Sequence, residues 1–248
     1  MQQWQELKKR LKPWLRKAPG FRAASFVYWL VSNQEFRNTT LMMRRPPEGL
    51  FQPYGSTSND RYPYLFQQVR ERIGDGANLR ILSFGCATGE EVFSLRRVFP
   101  LANITGLDIN PYNISVCRSR LRRIKDSKLS FAVAGSTTGE ASASYDAIFA
   151  MAVYRHGKLN VPQPPPKCEP LIHFTDFEQS VTDLARCLKP GGLLIIQHAM
   201  FRFADTRLAT EFEPILSVFP PQYIQLYDRD NCNLPNTFYP DVMFRKLE

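Results

Sequence analysis

From about residue 58 onward the chain alternates short apolar runs with helical stripes, and this alternation constrains the fold more than any other feature. Leu79 to Phe84, Asn103 to Asp108, Leu129 to Val133, Tyr145 to Ala150 and Leu193 to His198 are runs of five or six residues with buried-strand character. Between them, apolar residues recur at helical spacing. Tyr62, Leu65, Phe66, Val69 and Ile73 form one stripe, stopped by Asp75-Gly76, and Phe177, Val181, Leu184 and Leu188 form another. A helix running to about Val98 follows the first strand, and Asn110 with Pro111 reads as a cap and first position of the next. Pro190-Gly191-Gly192 breaks the last stripe, another helix is expected over about 205–219, and two final strands over about 223–228 and 241–247. Strands that are apolar throughout and separated by helices belong to a parallel sheet covered on both faces. The expected class is therefore α/β, a doubly wound, mostly parallel seven-stranded sheet with a helical extension at its N-terminal side. In such a sheet ligands lie at the carboxyl ends of the strands, by the switch point.

Residues 1–50 read differently and are expected to form a basic amphipathic helical extension and lid, with residues 51–248 as the core. Trp4, Leu7, Leu11, Trp14 and Leu15 share one helical face among basic residues until Pro19-Gly20, and a short apolar helix is expected over about Ala23 to Val31. A turn-rich connection at Arg45-Pro46-Pro47-Glu48-Gly49 and an irregular stretch follow, in which Tyr54, Thr57 and Arg61 are candidates for closing over a site. The formal net charge is +9, concentrated in the first 22 residues and in a second cluster from Arg118 to Lys128. That excess suits acidic lipid, nucleic acid or an anionic ligand without choosing among them. Tryptophans flanked by lysines fit a headgroup interface, so an anionic membrane surface is one candidate partner of the N-terminal helix. Nucleic acid is disfavoured by the lack of a base-stacking signature. The five cysteines are odd in number with no C-x-x-C pair, which argues against a disulfide framework or structural zinc and for a reducing cytoplasm. No apolar run approaches the roughly 18–20 residues that span a bilayer, no secretory signal is read, and the three histidines have no acid at ligand spacing, so no metal is expected. The oligomeric state is not legible.

The turn after the first strand places Gly85 and Gly89 around Cys86-Ala87-Thr88. A ligand packed against backbone needs residues without Cβ at its closest approach, and the next helix offers free N–H groups to something anionic. Alone, such a turn is more often a plain strand-to-helix connection. Asp108, 23 positions after Gly85, ends the second strand, where a carboxylate can accept from both hydroxyls of an adenosine ribose. A dinucleotide fingerprint would want a third glycine. Here Glu91 follows Glu90, and two carboxylates repel a diphosphate while either can hold an α-ammonium.

Leu82 to Glu91 resembles the first motif of class I S-adenosylmethionine-dependent methyltransferases, and Gly106-Leu107-Asp108-Ile109-Asn110 resembles their second. Tyr145 to Ala150 resembles the fourth-strand motif, and Leu188 to Leu194 the turn before the fifth strand. The resemblance covers about residues 58–248 in the family's order and spacing. It implies S-adenosyl-L-methionine as cofactor, bound by Gly85, Cys86, Ala87, Thr88, Gly89, Glu90, Asp108, Ile109, Ser136 and Met151. The string from Ser83 to Glu91 is similar to chemotaxis receptor methyltransferases, which modify glutamate carboxylates, and by that likeness Glu90 contacts the cofactor's amino group. Two departures stand out: Ser83 replaces the usual acid, and Ala134-Gly135-Ser136-Thr137 lacks the acid beside adenine, leaving Ser136 as a substitute. The fourth strand runs into Tyr154, Arg155 and His156, the candidate catalytic and acceptor-side residues, with His156 as base if the acceptor must lose a proton. His198 can reach the same pocket, and His173 reads as structural. The expected activity is methyl transfer to an oxygen or nitrogen of a small-molecule or lipid-linked acceptor. A protein carboxylate acceptor, or a non-catalytic binding module, are the alternatives.

Overall fold

The computed structural model describes residues 21–53, 61–219 and 224–248, with Arg22 by its backbone alone. Trp4, Trp14, Tyr54 and Thr57 lie outside the described residues. Contacts divide the chain into two compact units, Met1–Pro46 and Pro47–Glu248.

In the first unit, α1 (Phe21–Ser32) and α2 (Gln34–Arg44) meet at Asn33, whose side chain accepts from the Phe36 N–H at 2.9 Å. The Phe26 and Phe36 rings meet edge to face at 5.7 Å. The helix α2 falls where the sequence suggested only unassigned chain. Its composition is polar on average, and its ends are marked by the Asn33 cap and by Pro46-Pro47 beyond its end.

In the second unit the elements are α3 (Pro63–Ile73), β1 (Arg80–Phe84), α4 (Glu90–Val98), β2 (Asn103–Asp108), α5 (Pro111–Ile124), β3 (Leu129–Val133), β4 (Tyr145–Met151), α6 (Phe174–Cys187) and β5 (Leu188–Gln197). Four strands complete it: β6 (Phe212–Ser217), β7 (Leu226–Tyr227), β8 (Asn233–Leu234) and β9 (Asp241–Lys246). Seven strands form one sheet in the order β3-β2-β1-β4-β5-β9-β6. The first five are mutually parallel, and β9 runs antiparallel between β5 and β6. Two apolar layers cover the faces. Leu65, Phe66, Val69, Val92, Leu95 and Ile114 pack with Ile81, Phe149 and Ile195 on one face. On the other, Phe177, Val181 and Leu184 pack with Leu82, Ile148 and Leu194. Because β1 is flanked by β2 and β4, the chain leaves β1 toward one layer and β4 toward the other. A crevice opens between their carboxyl ends.

The helix expected over 205–219 does not form, and the last strands are placed differently. Short 3-10 turns cover Phe203–Asp205 and Arg207–Glu211, and Phe212–Ser217 is the edge strand β6. Leu208, Phe212, Ile215 and Val218 mimic a helical period, but Pro214 would break a helix interior and is tolerated on an edge strand, beside a register shift. Of the described residues in the expected strand near 223–228, only Leu226–Tyr227 form a strand, and it pairs with β8 outside the main sheet. Among the described residues no helix is long and apolar enough to cross a membrane.

Candidate cofactor and acceptor site

The loop leaving β1 is bound to the end of β2. Leu107 O accepts from the N–H groups of Gly85 and Cys86 at 2.8 and 2.9 Å, and Asp108 Oδ2 accepts from Ala87 N–H at 2.8 Å. Gly85 has φ +73°, Ala87 +48° and Gly89, the cap of α4, +91°. A Cβ on Gly85 would lie 2.5 Å from Val153 Cγ2, and one on Gly89 2.9 Å from Cys117 Sγ. Both glycines are therefore required by conformation and by space.

Asp108 is 7% exposed. Its Oδ1 accepts from Asn110 N–H at 2.8 Å and Asn113 Nδ2 at 3.0 Å. Burial raises its pKa, and the three N–H donors oppose that rise. A carboxylate offers about four acceptor directions. Three are taken by the protein, which leaves one direction on Oδ2.

The two glutamates of the loop differ sharply. Glu90 pairs with Arg120 Nη1 at 2.8 Å through Oε1 and accepts from Thr88 Oγ1 at 2.7 Å through Oε2, so Arg120 and Thr88 engage both its oxygens. Glu91 accepts from Ser83 Oγ at 2.7 Å. Burial pushes the Glu91 carboxyl up to about 7, against the Ser83 hydrogen bond and the positive charge of Arg61. Ser83, on the α4-facing side of β1, thus meets a carboxylate delivered from the helix. The loop, Asp108 and Glu91 thus bring glycine backbone and two largely buried carboxyl groups together at the β1 and β2 ends.

A family model described as a methyltransferase domain matches residues 75–219, more than half of the chain. The chain belongs to the S-adenosylmethionine-dependent methyltransferase family. It is 26% identical over 134 residues to the O-methyltransferase rstn1 of Aspergillus nomiae, covering 53% of this chain and 52% of that protein. It is 28% identical over 149 residues to the methyltransferase GfsG of Streptomyces halstedii, covering 59% and 47%. The chain thus spans about half the length of these curated relatives. A solved phosphoethanolamine N-methyltransferase 2 of Haemonchus contortus, in complex with S-adenosyl-L-methionine, overlaps 69% of this chain and 35% of its own at 20% identity and a TM-score of 0.41.

Within this methyltransferase domain the candidate cofactor residues fall in different settings. Gly85, Ala87, Thr88, Gly89 and Asp108 come together at the β1 and β2 ends. Ile109 lies against Gly135, where an added Cβ would be 2.8 Å from Ile109 Cδ1. Ser136, also past the end of β3, is exposed and bonded to Thr138 Oγ1 at 2.9 Å. Met151 ends β4 and is 7% exposed. Cys86 points inward, at 2% exposure, and its thiol is raised by hydrogen bonding to Cys117 and by burial, so only its backbone serves the loop.

The three catalytic candidates fall in different settings. Tyr154 is fully buried, its ring edge-on to Phe51 and Phe177 at 5.0 and 4.9 Å and its hydroxyl 3.0 Å from Ser180 Oγ. It is a core residue, because the chain after β4 turns it into the α6 layer. His156 is 6% exposed, and its Nδ1 accepts from Lys158 N–H at 3.3 Å as the cap of a 3-10 turn. Burial, then Lys158, lower its pKa. It closes a loop. Only Arg155 of the three stays partly exposed, its pKa lowered by burial and by Arg61.

Sequence reasoning gave less weight to the group that gathers here instead. Tyr62 Oη and His198 Nδ1 lie 3.2 Å apart, with their rings edge to face at 5.6 Å. Arg61, Glu91 and Arg155 all act on the Tyr62 hydroxyl, which burial pushes up to about 12. His173 stands at the N-cap position of α6 without a side-chain cap bond, its Nδ1 3.6 Å from Glu169 Oε1.

Proposed function

We propose that the chain transfers a methyl group from S-adenosylmethionine to an oxygen of a small-molecule acceptor. The observation that carries this reading is the junction of loop and strand end. Ala87 N–H on Asp108 and Ser83 Oγ on Glu91 bring glycine backbone and two carboxyl groups together, complementary to an adenosine on one side and to a cationic amino-acid tail on the other. In this reading Asp108 keeps one acceptor direction for a ribose hydroxyl, and Ile109 and Gly135 flank the adenine. Glu91, rather than Glu90, faces the α-ammonium, because Glu90 is paired with Arg120. When bound, the cofactor supplies a methyl on a sulfonium: a carbon–oxygen bond forms as the carbon–sulfur bond breaks, the electron pair goes to sulfur and the hydroxyl proton to water. The chain's own residues orient the acceptor and exclude water, which is where much of the rate of such a displacement arises. The relatives named O-methyltransferases support oxygen over nitrogen.

Calorimetry with S-adenosylhomocysteine tests the pocket, and absence of binding would end the reading. Labelled-methyl transfer to a panel of hydroxy compounds tests the acceptor. A base-stable label marks an ether, whereas a base-labile one marks a carboxylate acceptor.

A further inference from the structure

Apolar exposure is not spread evenly over the described residues. Of their fifteen exposed large hydrophobic side chains, seven lie within residues 21–44, on α1 and α2. Such a concentration marks an interaction surface, where single scattered side chains would mean nothing. The helix α1 carries most of it. Its sequence, FRAASFVYWLVS, has one charged residue, Arg22. Ala24, Val27, Tyr28 and Val31 follow the i, i+3, i+4, i+7 spacing of one helical face, the stripe by which a surface helix usually packs on a core. In this protein all four are exposed, Val27, Tyr28 and Val31 at 56, 63 and 75%.

Charge is segregated to the same unit. Residues 1–46 contain ten lysines and arginines against Glu6 and Glu35, a net +8 of the chain's +9, so the rest of the chain is close to neutral. An apolar stripe within a strongly cationic unit is complementary to a lipid interface with anionic headgroups: acyl chains take the stripe, and the headgroups attract the charge. Tyr28, apolar with a polar tip, suits the boundary between the two. Two copies of the chain meeting on this face would instead bring +8 against +8, which opposes their association. At about 1.5 Å per residue, α1 is too short to cross a bilayer core of about 30 Å and lies in the interface plane when bound.

We infer that α1 is an interfacial helix, whose Ala24, Val27, Tyr28 and Val31 face docks on a bilayer carrying anionic headgroups. The stripe supplies insertion and the charge of the unit supplies attraction, so binding needs both.

The test is flotation of the full chain with two kinds of vesicle, phosphatidylcholine alone and equal parts of phosphatidylcholine and phosphatidylglycerol. The chain should float with the mixed vesicles, bind phosphatidylcholine alone at least about tenfold more weakly, and lose that difference as salt is raised. Val27→Glu with Val31→Glu should weaken binding to the mixed vesicles by about tenfold or more, at an unchanged unfolding temperature. Val27→Ser with Val31→Ser adds no charge and should weaken it by about threefold; it carries the test if the first variant fails to fold. No binding to the mixed vesicles, or equal binding to both kinds, would overturn the inference. Variants that bind as the wild type does would move the contact to another segment and remove α1 from it. A dimer in sedimentation velocity that Val27→Glu with Val31→Glu dissociates, with no flotation of the wild type, would give the face to a second copy instead.

Discussion

The two ends of the crevice are built in opposite ways. At the β1 and β2 ends, left-handed backbone is given mostly to glycine, at Gly85 and Gly89, and the polar groups are paired within the protein: Asp108 with three N–H donors, Glu90 with Arg120, Glu91 with Ser83. At the β4 and β5 ends, the residue just past each strand is left-handed without being glycine. These are Ala152 and His198, both at φ +58°. Such a conformation costs about 1–2 kcal/mol per residue, and beside it Gln197 leaves an oxygen unpaired. A site that holds one invariant ligand can be rigid and internally satisfied. The β4 and β5 ends instead carry left-handed strain and a buried, unpaired amide oxygen.

The sharpest way to break that contrast is to strain the rigid side. Gly85→Ala introduces a Cβ 2.5 Å from a stiff, branched Val153 at φ +73°. Left-handed strain and overpacking together should cost about 2–4 kcal/mol of stability in urea denaturation. S-adenosylhomocysteine binding should fall below calorimetric detection. A variant of unchanged stability and affinity would show that the loop is not the rigid element described.

Next in size, Asp108→Ala leaves the N–H groups of Ala87, Asn110 and Asn113 without their acceptor. Donor affinity should weaken by about 1.5–3 kcal/mol, the scale for hydrogen bonds to a charged group. Unchanged affinity would remove Asp108 from the pocket.

Glu91 sharpens the comparison through pH. Its pKa rises from 4.5 to about 7 on folding, chiefly by burial. Between those values the folded state holds a proton that the unfolded state has lost, so stability is highest at the acid end of the window and declines as pH climbs through 7. Glu91→Gln should flatten that part of the stability profile and be the more stable protein above it. Donor affinity should run the other way in the wild type, rising between about pH 6 and about pH 7.5 as the carboxylate forms, and stay low and flat in the variant. The same pH slopes in both proteins would place the titration elsewhere.

Legibility in the sequence follows the same division. The parallel core, the glycine turn, Asp108 and the Asn110 cap could all be read because each is a local rule, carried by residue type and spacing within a few positions. Glu91 replacing the missing acid at Ser83 was not readable, since it depends on the first turn of α4 reaching back over β1. Ala152 and His198 carry no sequence mark of left-handed backbone, and Gln197 looks like any polar residue at a strand end. The stretch 205–219 misled because its apolar spacing fits a helix while Pro214 and an edge position make it β6. The β4 and β5 ends are set by packing between distant segments, and single-sequence periodicity does not see it.

That limit is clearest at Tyr154, which sits beside Arg155 in sequence yet faces the opposite environment. Three residues past β4, an aromatic with a polar tip suggests a hand reaching toward substrate. In the fold its ring fills the space between Phe51 and Phe177, and its hydroxyl meets Ser180. Tyr154→Phe keeps the ring and removes one hydrogen bond from a partner that is itself only partly buried. The expected loss is about 0.5–1.5 kcal/mol of stability, seen as a small drop in unfolding temperature. Turnover and acceptor KM should stay at wild-type values below that temperature. A fall in kcat without a fall in stability would return Tyr154 to the chemistry and extend the acceptor side into what is here the core.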